Sequence, residues 1–466
     1  MRKYYIQKGN ELNGPYSTDE LAGQNINFHS RLCEQGTNEW KPVQDIPDYE
    51  ALRLHIKPDL DAPAHTQRRS NGTLLLVGLL FFAAGIAVGN WVLPTVMRTK
   101  AVGEPEVAQV PVDSLPTDTI APTPPPIVEV SVDTHATDFA YLISGIAPER
   151  MQSELANNSD WVQVETAMAE EWDRVTQEKI LPISEWRSEM ETMKSDSGTL
   201  FYPFAGADFL YSNCFFPNAD TIIMVGLEPL GTIPQNLEFN RDFEDYVRKI
   251  KSALYTSNRS GYFMTINMGR DLRREDLNGV LPLILFYAIR QNYLVSRCEY
   301  VKMSEEGKSI VSEFEGADGV VITLTDRDKK KVKRIEYYRT DLSNDGFTPD
   351  SPFYRYVSAV NHKMVFLKAA SYLLHNSSFS NIRDAILTNT RLLLQDDSGM
   401  PFSFFTSDVW TTNLYGKYTR PIGLFAGRVQ PALRAEFESR GSGELPFKIG
   451  YNVAHNEPHL ILAILK

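Results

Sequence analysis

The stretch that decides how this chain is organised is TLLLVGLLFFAAGIAVGNWVL, residues 73–93. It contains no charged residue, and a helix with a rise of about 1.5 Å per residue would extend about 31 Å over this length. That length matches the hydrocarbon core of a bilayer, which is roughly 30 Å thick. Asn90 and Trp91 stand near its end, where an indole ring prefers the membrane interface. The sequence therefore predicts one transmembrane helix with a domain on each side.

Glycines recur along one face of this predicted helix. Gly85 and Gly89 form a Gly-x-x-x-Gly pair, and Gly78 lies two turns earlier. Small residues let two membrane helices approach closely, so these positions predict a homodimer formed through the helix. The alternative is that glycine is simply frequent in membrane helices.

Basic residues flank the predicted helix unequally. Lys57, Arg68 and Arg69 precede it, whereas Arg98 and Lys100 follow it. Cytoplasmic flanks carry the excess of Lys and Arg, so this bias predicts a cytoplasmic N-terminus and an extracytoplasmic, periplasmic C-terminal domain. We therefore predict a single-pass protein of a bacterial cell envelope.

The composition limits the classes of function. A net charge of −12 and a pI of about 5.3 argue against nucleic-acid binding, which depends on clustered Lys and Arg. The hydrophobic content of 42% and the aromatic content of 11% are typical of folded domains. The chain has no Gly-x-Ser-x-Gly elbow and no phosphate-binding glycine loop. We expect neither a nucleic-acid partner nor a cofactor.

Changes in composition along the chain predict its domain boundaries. A proline run at residues 124–126 marks a stiff acidic spacer. The predicted segments are a small domain at 1–56, a flexible tether at 57–72, the helix at 73–93, an acidic Pro-rich stalk at 101–137 and a large domain at 138–466.

The small domain alternates between strand and helix signals. Residues 3–8 predict a strand and residues 10–16 predict a turn. Ser17 stands three residues before Glu20, which is the spacing of a capping box at a helix start. Residues 32–34 and 40–42 predict further extended segments.

Several elements of this domain resemble the bacterial GYF-like domains, relatives of the eukaryotic GYF adaptors. They are Tyr4-Tyr5 in the first strand, Gly14-Pro15-Tyr16 before the helix, Leu21 within it, and Trp40-Lys41-Pro42 followed by Ile46-Pro47. The resemblance covers residues 3–52 and implies that an aromatic surface binds a proline-rich peptide or protein.

The physics of such recognition is favourable, because a polyproline II peptide is already stiff and loses little entropy on binding. The alternative is that the aromatic residues only fill the core of a very small domain. The peptide-binding residues that the resemblance implies are Tyr5, Gly14, Pro15, Tyr16, Leu21 and Trp40.

The large domain begins with helical spacing over residues 138–195 and then changes to mixed strands and helices. We expect an α+β fold that contains an antiparallel meander. The meander strands are predicted at 294–302, 309–314, 319–325 and 332–340. Other predicted strands are at 209–214, 221–226, 261–267 and 391–395, and other predicted helices at 280–291, 365–375 and 380–388.

Few residues of the large domain suggest chemistry. Asp396 and Asp397 follow a predicted strand, where a pair of carboxyl groups could act as acid and base, although Asp-Asp-Ser-Gly is also ordinary turn sequence. His455 and His459 have the spacing of two zinc ligands on a helix, but the intervening Pro458 argues against a helix there.

Cys214 and Cys298 could form a disulfide if the large domain is extracytoplasmic. The alternative is that each is a single buried thiol.

The sequence thus predicts an adaptor or sensor anchored in the membrane, with a cytoplasmic peptide-binding module and an extracytoplasmic binding domain. The alternative is an anchored envelope hydrolase that acts on a surface glycan or peptide. We favour the non-enzymatic interpretation, because no motif selects an active site.

Overall fold

The computed structural model divides the chain into two compact units, 1–105 and 106–466. Within them the structure describes residues 2–8, 11–22, 24, 31–37, 40–42, 46, 131–194, 197–240, 243–245, 247–248, 250–252, 279–327, 331–360, 362–451 and 457–466.

The predicted membrane helix at 73–93, with Gly78, Gly85 and Gly89, lies outside the described residues. So do the tether, residues 101–130 of the stalk and the strand predicted at 261–267. Among the residues that the structure describes, no helix combines the length and the apolar character needed to cross a membrane.

The described residues of the small unit form a four-stranded antiparallel sheet and a short helix. Its strand order is β2-β1-β3-β4. The described core cluster consists of Tyr4, Ile6, Leu21, Leu32 and Ile46. The elements are β1 (Lys3–Lys8), β2 (Glu11–Ser17), α1 (Thr18–Ala22), β3 (Arg31–Glu34) and β4 (Trp40–Pro42).

The predicted capping box is confirmed at the start of α1. The backbone N–H of Glu20 donates to Ser17 Oγ at 3.4 Å, and the backbone N–H of Ser17 donates to Glu20 Oε2 at 2.8 Å. Two backbone donors at the helix N-terminus are therefore satisfied reciprocally.

The turn predicted at residues 10–16 is wrong for residues 11–16, which belong to β2, a strand at one edge of the described sheet. Proline lacks the N–H that a central strand needs, but an edge strand tolerates it. Pro15 therefore fits into β2, where a cis peptide bond joins it to Gly14.

The described residues of the large unit form a mixed α+β domain built on a ten-stranded sheet. The strand order is β13-β14-β12-β11-β5-β6-β10-β9-β7-β8. The strands are β5 (Gly198–Tyr202), β6 (Ala219–Gly226), β7 (Tyr293–Met303), β8 (Ser309–Val311), β9 (Gly319–Asp326), β10 (Val332–Arg339), β11 (His362–Leu367), β12 (Leu392–Gln395), β13 (Trp410–Gly416) and β14 (His459–Leu465).

Helices of the described residues pack on both faces of this sheet. One core cluster joins the early helices to one face, and the other joins the late helices to the opposite face. The helices are α2 (Thr134–Ile143), α3 (Gln152–Leu155), α4 (Ser159–Val175), α5 (Leu181–Ser188), α6 (Glu191–Lys194), α7 (Phe209–Phe215), α8 (Leu281–Arg290), α9 (Pro352–Ala359), α10 (Ser380–Asn389) and α11 (Pro431–Arg440).

The first of these helices begins four residues before the predicted start of the domain at 138. Asp133 caps it, since its side chain accepts a hydrogen bond from the N–H of Ala136 at 3.0 Å. The end of the predicted stalk therefore belongs to the folded domain.

Five adjacent strands at the centre of the sheet are parallel, in the order β12-β11-β5-β6-β10. The chain enters at β5, continues on one side through β6 and β10, and then returns to the other side of β5 at β11. Strand order therefore reverses between β5 and β11. In open sheets of this kind, the carboxyl ends of the strands form a crevice at such a point.

The predicted antiparallel meander is confirmed in its strands but not in its order. Strand β7 lies between β8 and β9 and pairs with both, and β10 then pairs with β9. The long β7 forms hydrogen bonds along both of its edges. It pairs with β9 on one side and with the short β8 on the other, and β8 lies at the edge of the sheet.

Two predicted elements of the large domain are wrong. Residues 209–214 form helix α7 and not a strand. Residues 365–375 begin as strand β11 and continue as a short 3-10 helix, Ala370–His375. Short apolar runs that are buried on all sides carry no periodicity that separates strand from helix.

The core on one face of the sheet depends on Phe366 of β11. Its ring is fully buried and lies 4.8 Å from that of Tyr202 and 5.3 Å from that of Phe215, centroid to centroid. We expect Phe366→Ala to lower the free energy of unfolding by about 3 to 5 kcal/mol, because it leaves a cavity. Denaturant unfolding of the full chain, followed by circular dichroism, measures this change.

The matched control is Phe314→Ala, since Phe314 is 43% exposed. This change should cost less than about 1 kcal/mol. An equal loss in both variants would contradict the assignment of this core.

Candidate functional site

Polar side chains from four strands meet at the carboxyl edge of the central sheet. Lys368 directly follows β11, Asp396 and Asp397 directly follow β12, and Asp208 stands before α7 in the connection that leaves β5. Strand β14 is antiparallel to β12, so its first residue, His459, lies at the same edge. All five residues are buried.

The first pair in this cluster is Asp208 with Lys368. The Lys368 ammonium lies 2.5 Å from Asp208 Oδ2, which also accepts a hydrogen bond from the Tyr202 hydroxyl at 2.8 Å. The same ammonium lies 3.8 Å from the ring centroid of Tyr211. Burial and the negative charge of Asp208 raise the pKa of Tyr202 and Tyr211. Both phenols therefore stay neutral beside the carboxylate.

A second lysine lies close to this pair. Lys179 belongs to a π-helical segment, Thr176–Ile180, that connects α4 and α5, and such segments are frequent at functional sites. Its ammonium donates to the carbonyl of Lys448 at 3.0 Å. Burial and the positive charge of Lys368 lower the pKa of Lys179 to about 8.

Asp396 is fixed by donors from the chain itself. Its Oδ1 accepts the N–H of Ser398 at 2.9 Å, and its Oδ2 accepts the N–H of Ala369 at 3.1 Å. A Cβ at Gly450 would lie 2.2 Å from Oδ2, so only glycine fits against this carboxyl group. Burial and the charge of Asp397 raise the pKa of Asp396.

Asp397 links β12 to β14. Its Oδ2 accepts the hydroxyl of Tyr372 at 2.6 Å, and its Oδ1 lies 3.3 Å from Nε2 of His459. Nδ1 of His459 lies 3.2 Å from the carbonyl oxygen of Glu457 and can donate a hydrogen bond to it. Nε2 then accepts the N–H of Asp397 at 3.1 Å when neutral, and donates to Oδ1 when protonated.

These contacts give both aspartates a structural role in the turn after β12. Each carboxylate accepts hydrogen bonds from the protein's own donors, and their exposed fractions are 2% and 1%. A polar cleft of about 500 Å³ is lined by residues from 135–154 and 235–238, and neither aspartate borders it. Acid and base catalysis by Asp396 and Asp397 therefore stays a prediction.

The structure also places the other predicted residues of the large domain. His455 lies outside the described residues, and the described residues hold no cluster of three His, Cys, Asp or Glu suited to a metal. Cys214 and Cys298 are free thiols. Burial raises the pKa of both to about 12, so neither is a thiolate at neutral pH.

In the small domain, strand register places Tyr5 beside Cys33, and Cys33 beside Trp40. These positions form one cross-strand row. Tyr16 pairs with Tyr4 in the neighbouring row, and it packs half-buried against the core. Adjacent rows of a sheet point to opposite faces, so Tyr5 and Tyr16 are on different faces.

The remaining residues that the resemblance implies differ in exposure. Gly14 is exposed and Pro15 is half-buried, whereas Leu21 is fully buried in the core. Leu21 is therefore a core residue of the domain.

Asp208 and Lys368 were missed by reasoning from the sequence. Strand β5 was not predicted, and Lys368 fell within a predicted helix. The available signal was a single lysine inside the apolar run of residues 364–374, because a lysine is almost never fully buried unless it is paired. Nothing in the sequence identified its partner.

Comparison with known proteins assigns the small domain. Residues 4–48 match the family described as GYF domain 2, which confirms the resemblance. This part of the chain is a GYF-like domain, a kind of module that binds other proteins. The C-terminal region matches no family. No curated protein and no solved structure matches the chain.

The Asp397–His459 pair makes a testable prediction about pH. Burial lowers the pKa of His459, but the hydrogen bond and charge of Asp397 outweigh burial and raise it above its ordinary value. The stability that this pair supplies is thus fully present below about pH 6.5, the ordinary value, and is lost as the pH rises through the folded pKa.

In Asp397→Asn, burial remains while the charge of Asp397 is removed, so the pKa of His459 should be lower than in the wild-type protein. Imidazole chemical shifts followed by NMR across pH measure this change. Asp345→Asn is the control, since Asp345 belongs to a turn before α9, and it should leave the titration unchanged. If His459 titrates in Asp397→Asn as it does in the wild-type protein, Asp397 is not the cause of its raised pKa.

Proposed function

We propose that this protein is a single-pass membrane adaptor whose GYF-like domain binds proline-rich peptides in the cytoplasm and whose large domain binds a ligand outside it. The observation that carries this proposal is the family match over residues 4–48. GYF domains bind proline-rich peptides, and this supports the kind of partner.

The aromatic residues of the small domain support a peptide surface. Tyr5, Pro15 and Tyr16 each remain partly exposed, and none of them is a buried member of the described core cluster. A prolyl ring packs well on an aromatic face, and the extended peptide loses little entropy on binding. Tyr5 and Tyr16 lie on different faces of the sheet, so the surface is centred either on Tyr5 or on Tyr16 beside Gly14-Pro15.

The membrane part of the proposal rests on the sequence. Residues 73–93 are uncharged and long enough to span a bilayer, and the flanking bases favour a cytoplasmic N-terminus. The glycines at 78, 85 and 89 support close packing of two such helices, and hence a dimeric adaptor. The large domain, which follows the acidic stalk, is then extracytoplasmic.

Peptide binding is tested with the full chain and a fluorescently labelled proline-rich peptide, followed by fluorescence anisotropy. We expect either Tyr5→Ala or Tyr16→Ala to weaken binding about tenfold or more, because aromatic anchors dominate such interfaces. Whichever variant has this effect identifies the face that binds.

Lys3→Ala is the matched control on β1, since Lys3 is exposed on the same strand. This variant should bind the proline-rich peptide with wild-type affinity. Equal binding of a peptide with its prolines replaced by alanine, or wild-type affinity in both tyrosine variants, would count against a proline-binding surface.

Topology is tested by adding protease to intact spheroplasts that express the chain with a different tag at each end. The C-terminal tag should be digested and the N-terminal tag protected, because the bilayer shields a cytoplasmic domain. Detergent should then expose both tags, which controls for intrinsic resistance. Protection of the large domain with digestion of the small one would reverse the proposed orientation.

A further inference from the structure

Two arginine side chains from different segments meet at one residue beyond the carboxyl end of β11. Arg383 stands in the first turn of α10, and Arg428 ends a short 3-10 segment, Gly423–Arg428. Nη1 of Arg383 donates to the backbone carbonyl of Asn376 at 3.4 Å, and Nη2 of Arg428 donates to the side-chain oxygen of the same residue. The two guanidinium groups are therefore neighbours.

Neither guanidinium group is neutralised by a carboxylate among the described residues. Both arginines are half-buried. Their contacts are with carbonyl and amide oxygens of Leu374 and Asn376 and with the ring of Phe404. Acidic residues outnumber basic ones in this chain by 59 to 47, so an unneutralised pair of arginines is unexpected. Like charges that are partly removed from water repel each other, and a bound anion would offset this repulsion.

The positive charge of this pair acts on the neighbouring His375. Nε2 of His375 lies 3.0 Å from the carbonyl oxygen of Gly399. Burial and the charge of Arg428 lower the pKa of His375 to about 4, and Arg383 acts in the same direction. The charge of Asp397 opposes this effect without outweighing it. The imidazole is therefore neutral at neutral pH, and the two guanidinium groups carry the positive charge of the cluster.

Exposed apolar side chains border the arginines. The guanidinium of Arg383 lies 4.9 Å from the ring centroid of Phe404, which is 36% exposed, and Val429 is 40% exposed. The N–H of Phe402 donates to Gln430 Oε1 at 2.7 Å, so the segments that carry Phe404 and Val429 lie side by side. The charged pair thus has apolar surface next to it.

The arginines can be reached from solvent. Gly427, which precedes Arg428, is exposed, and a Cβ at this position would meet no described atom within 4 Å. Each guanidinium group retains N–H donors that have no acceptor among the described residues, because an arginine offers five such donors. A ligand therefore has both an approach and hydrogen-bond donors to meet.

The chemistry of the side chains selects the ligand. The planar fork of a guanidinium group matches the oxygens of a carboxylate or a phosphate, and it binds them more strongly than neutral acceptors. A cationic ligand would be repelled by both arginines. The exposed surface of Phe404 and Val429 favours an apolar group beside the anion, since burying that group removes apolar area from water.

We propose that Arg383 and Arg428 form a binding site for an oxyanion, either a carboxylate or a phosphate group, on a ligand with an apolar body. Asn376 positions the two guanidinium groups, and Phe404 and Val429 contact the apolar body. This inference rests on the proposed function only in treating the large domain as a ligand-binding domain. Anion binding and peptide binding are measured separately, so either can fail alone.

The test is calorimetric titration of the full chain in a non-ionic detergent. The charged probes are phenylacetate and phenyl phosphate, and at least one of them should bind with a dissociation constant of about 1 mM or tighter. The tighter of the two identifies the oxyanion. Neutral 2-phenylacetamide should bind at least about tenfold more weakly, since it lacks the charge. Acetate and inorganic phosphate should bind at least about threefold more weakly than their aromatic counterparts, since they lack the apolar body.

Substitutions of the two arginines separate binding from folding. Arg383→Gln and Arg428→Gln each remove one charge and keep an amide that can donate to Asn376. Each should fold and weaken binding of the charged probe about tenfold or more, the value of a charge-assisted hydrogen bond. Arg428→Lys should bind more tightly than Arg428→Gln, because it keeps the charge without the fork. Arg297→Gln is the matched control, since Arg297 is exposed on the distant strand β7, and it should bind normally.

Several results would overturn this proposal. They are the absence of binding by both charged probes, equal binding of phenylacetate and 2-phenylacetamide, and wild-type affinity in both glutamine variants. Equal weakening by Arg297→Gln and Arg428→Gln would assign the effect to the net charge of the chain and not to a site. Equal binding of the aromatic probes and of acetate and inorganic phosphate would contradict the apolar part of the site.

Discussion

Burial of the central strands on both faces is the constraint on which the large domain depends. Alternate residues of β5, β6, β11 and β12 enter two separate cores, so these strands consist mainly of apolar residues. Parallel strands buried in this way have no polar face. Polar side chains near these strands therefore lie where the strands end, and in this domain they lie at the carboxyl edge of the sheet.

The second constraint is that charges at this buried edge must be paired. Lys368 and Asp208 are almost fully removed from water, and an unpaired charge in that position would be strongly destabilising, by about 3 to 5 kcal/mol when one partner is removed. The ion pair thus holds the connections after β5 and β11 together. Asp397, which follows β12, contacts Tyr372 in the segment after β11 and His459 at the start of β14. The sheet edge is fixed by polar contacts and the sheet interior by apolar ones.

The two described units differ in the size of their hydrophobic cores. Five described residues form the core cluster of the small domain, and a capping box supplies local support at its short helix. The large domain has enough apolar surface to bury complete strands.

The sequence by itself determined the features that depend on neighbouring residues. The capping box of Ser17 and Glu20, the apolar helix α8, the strands of the meander and the GYF-like domain could all be predicted, because local spacing or a short motif specifies each. The uncharged stretch 73–93 belongs to the same class of signal, and its prediction of a membrane helix stays a prediction.

Only the tertiary structure decided which distant residues meet. Residues 209–214 and 365–375 could not be assigned from periodicity, since burial on all sides removes the alternation that distinguishes strands from helices. The partner of Lys368 could not be predicted, because it lies 160 residues away in the chain and the contact exists only after β11 has inserted beside β5. Pairing of buried charges depends on strand order, and strand order is a property of the folded sheet.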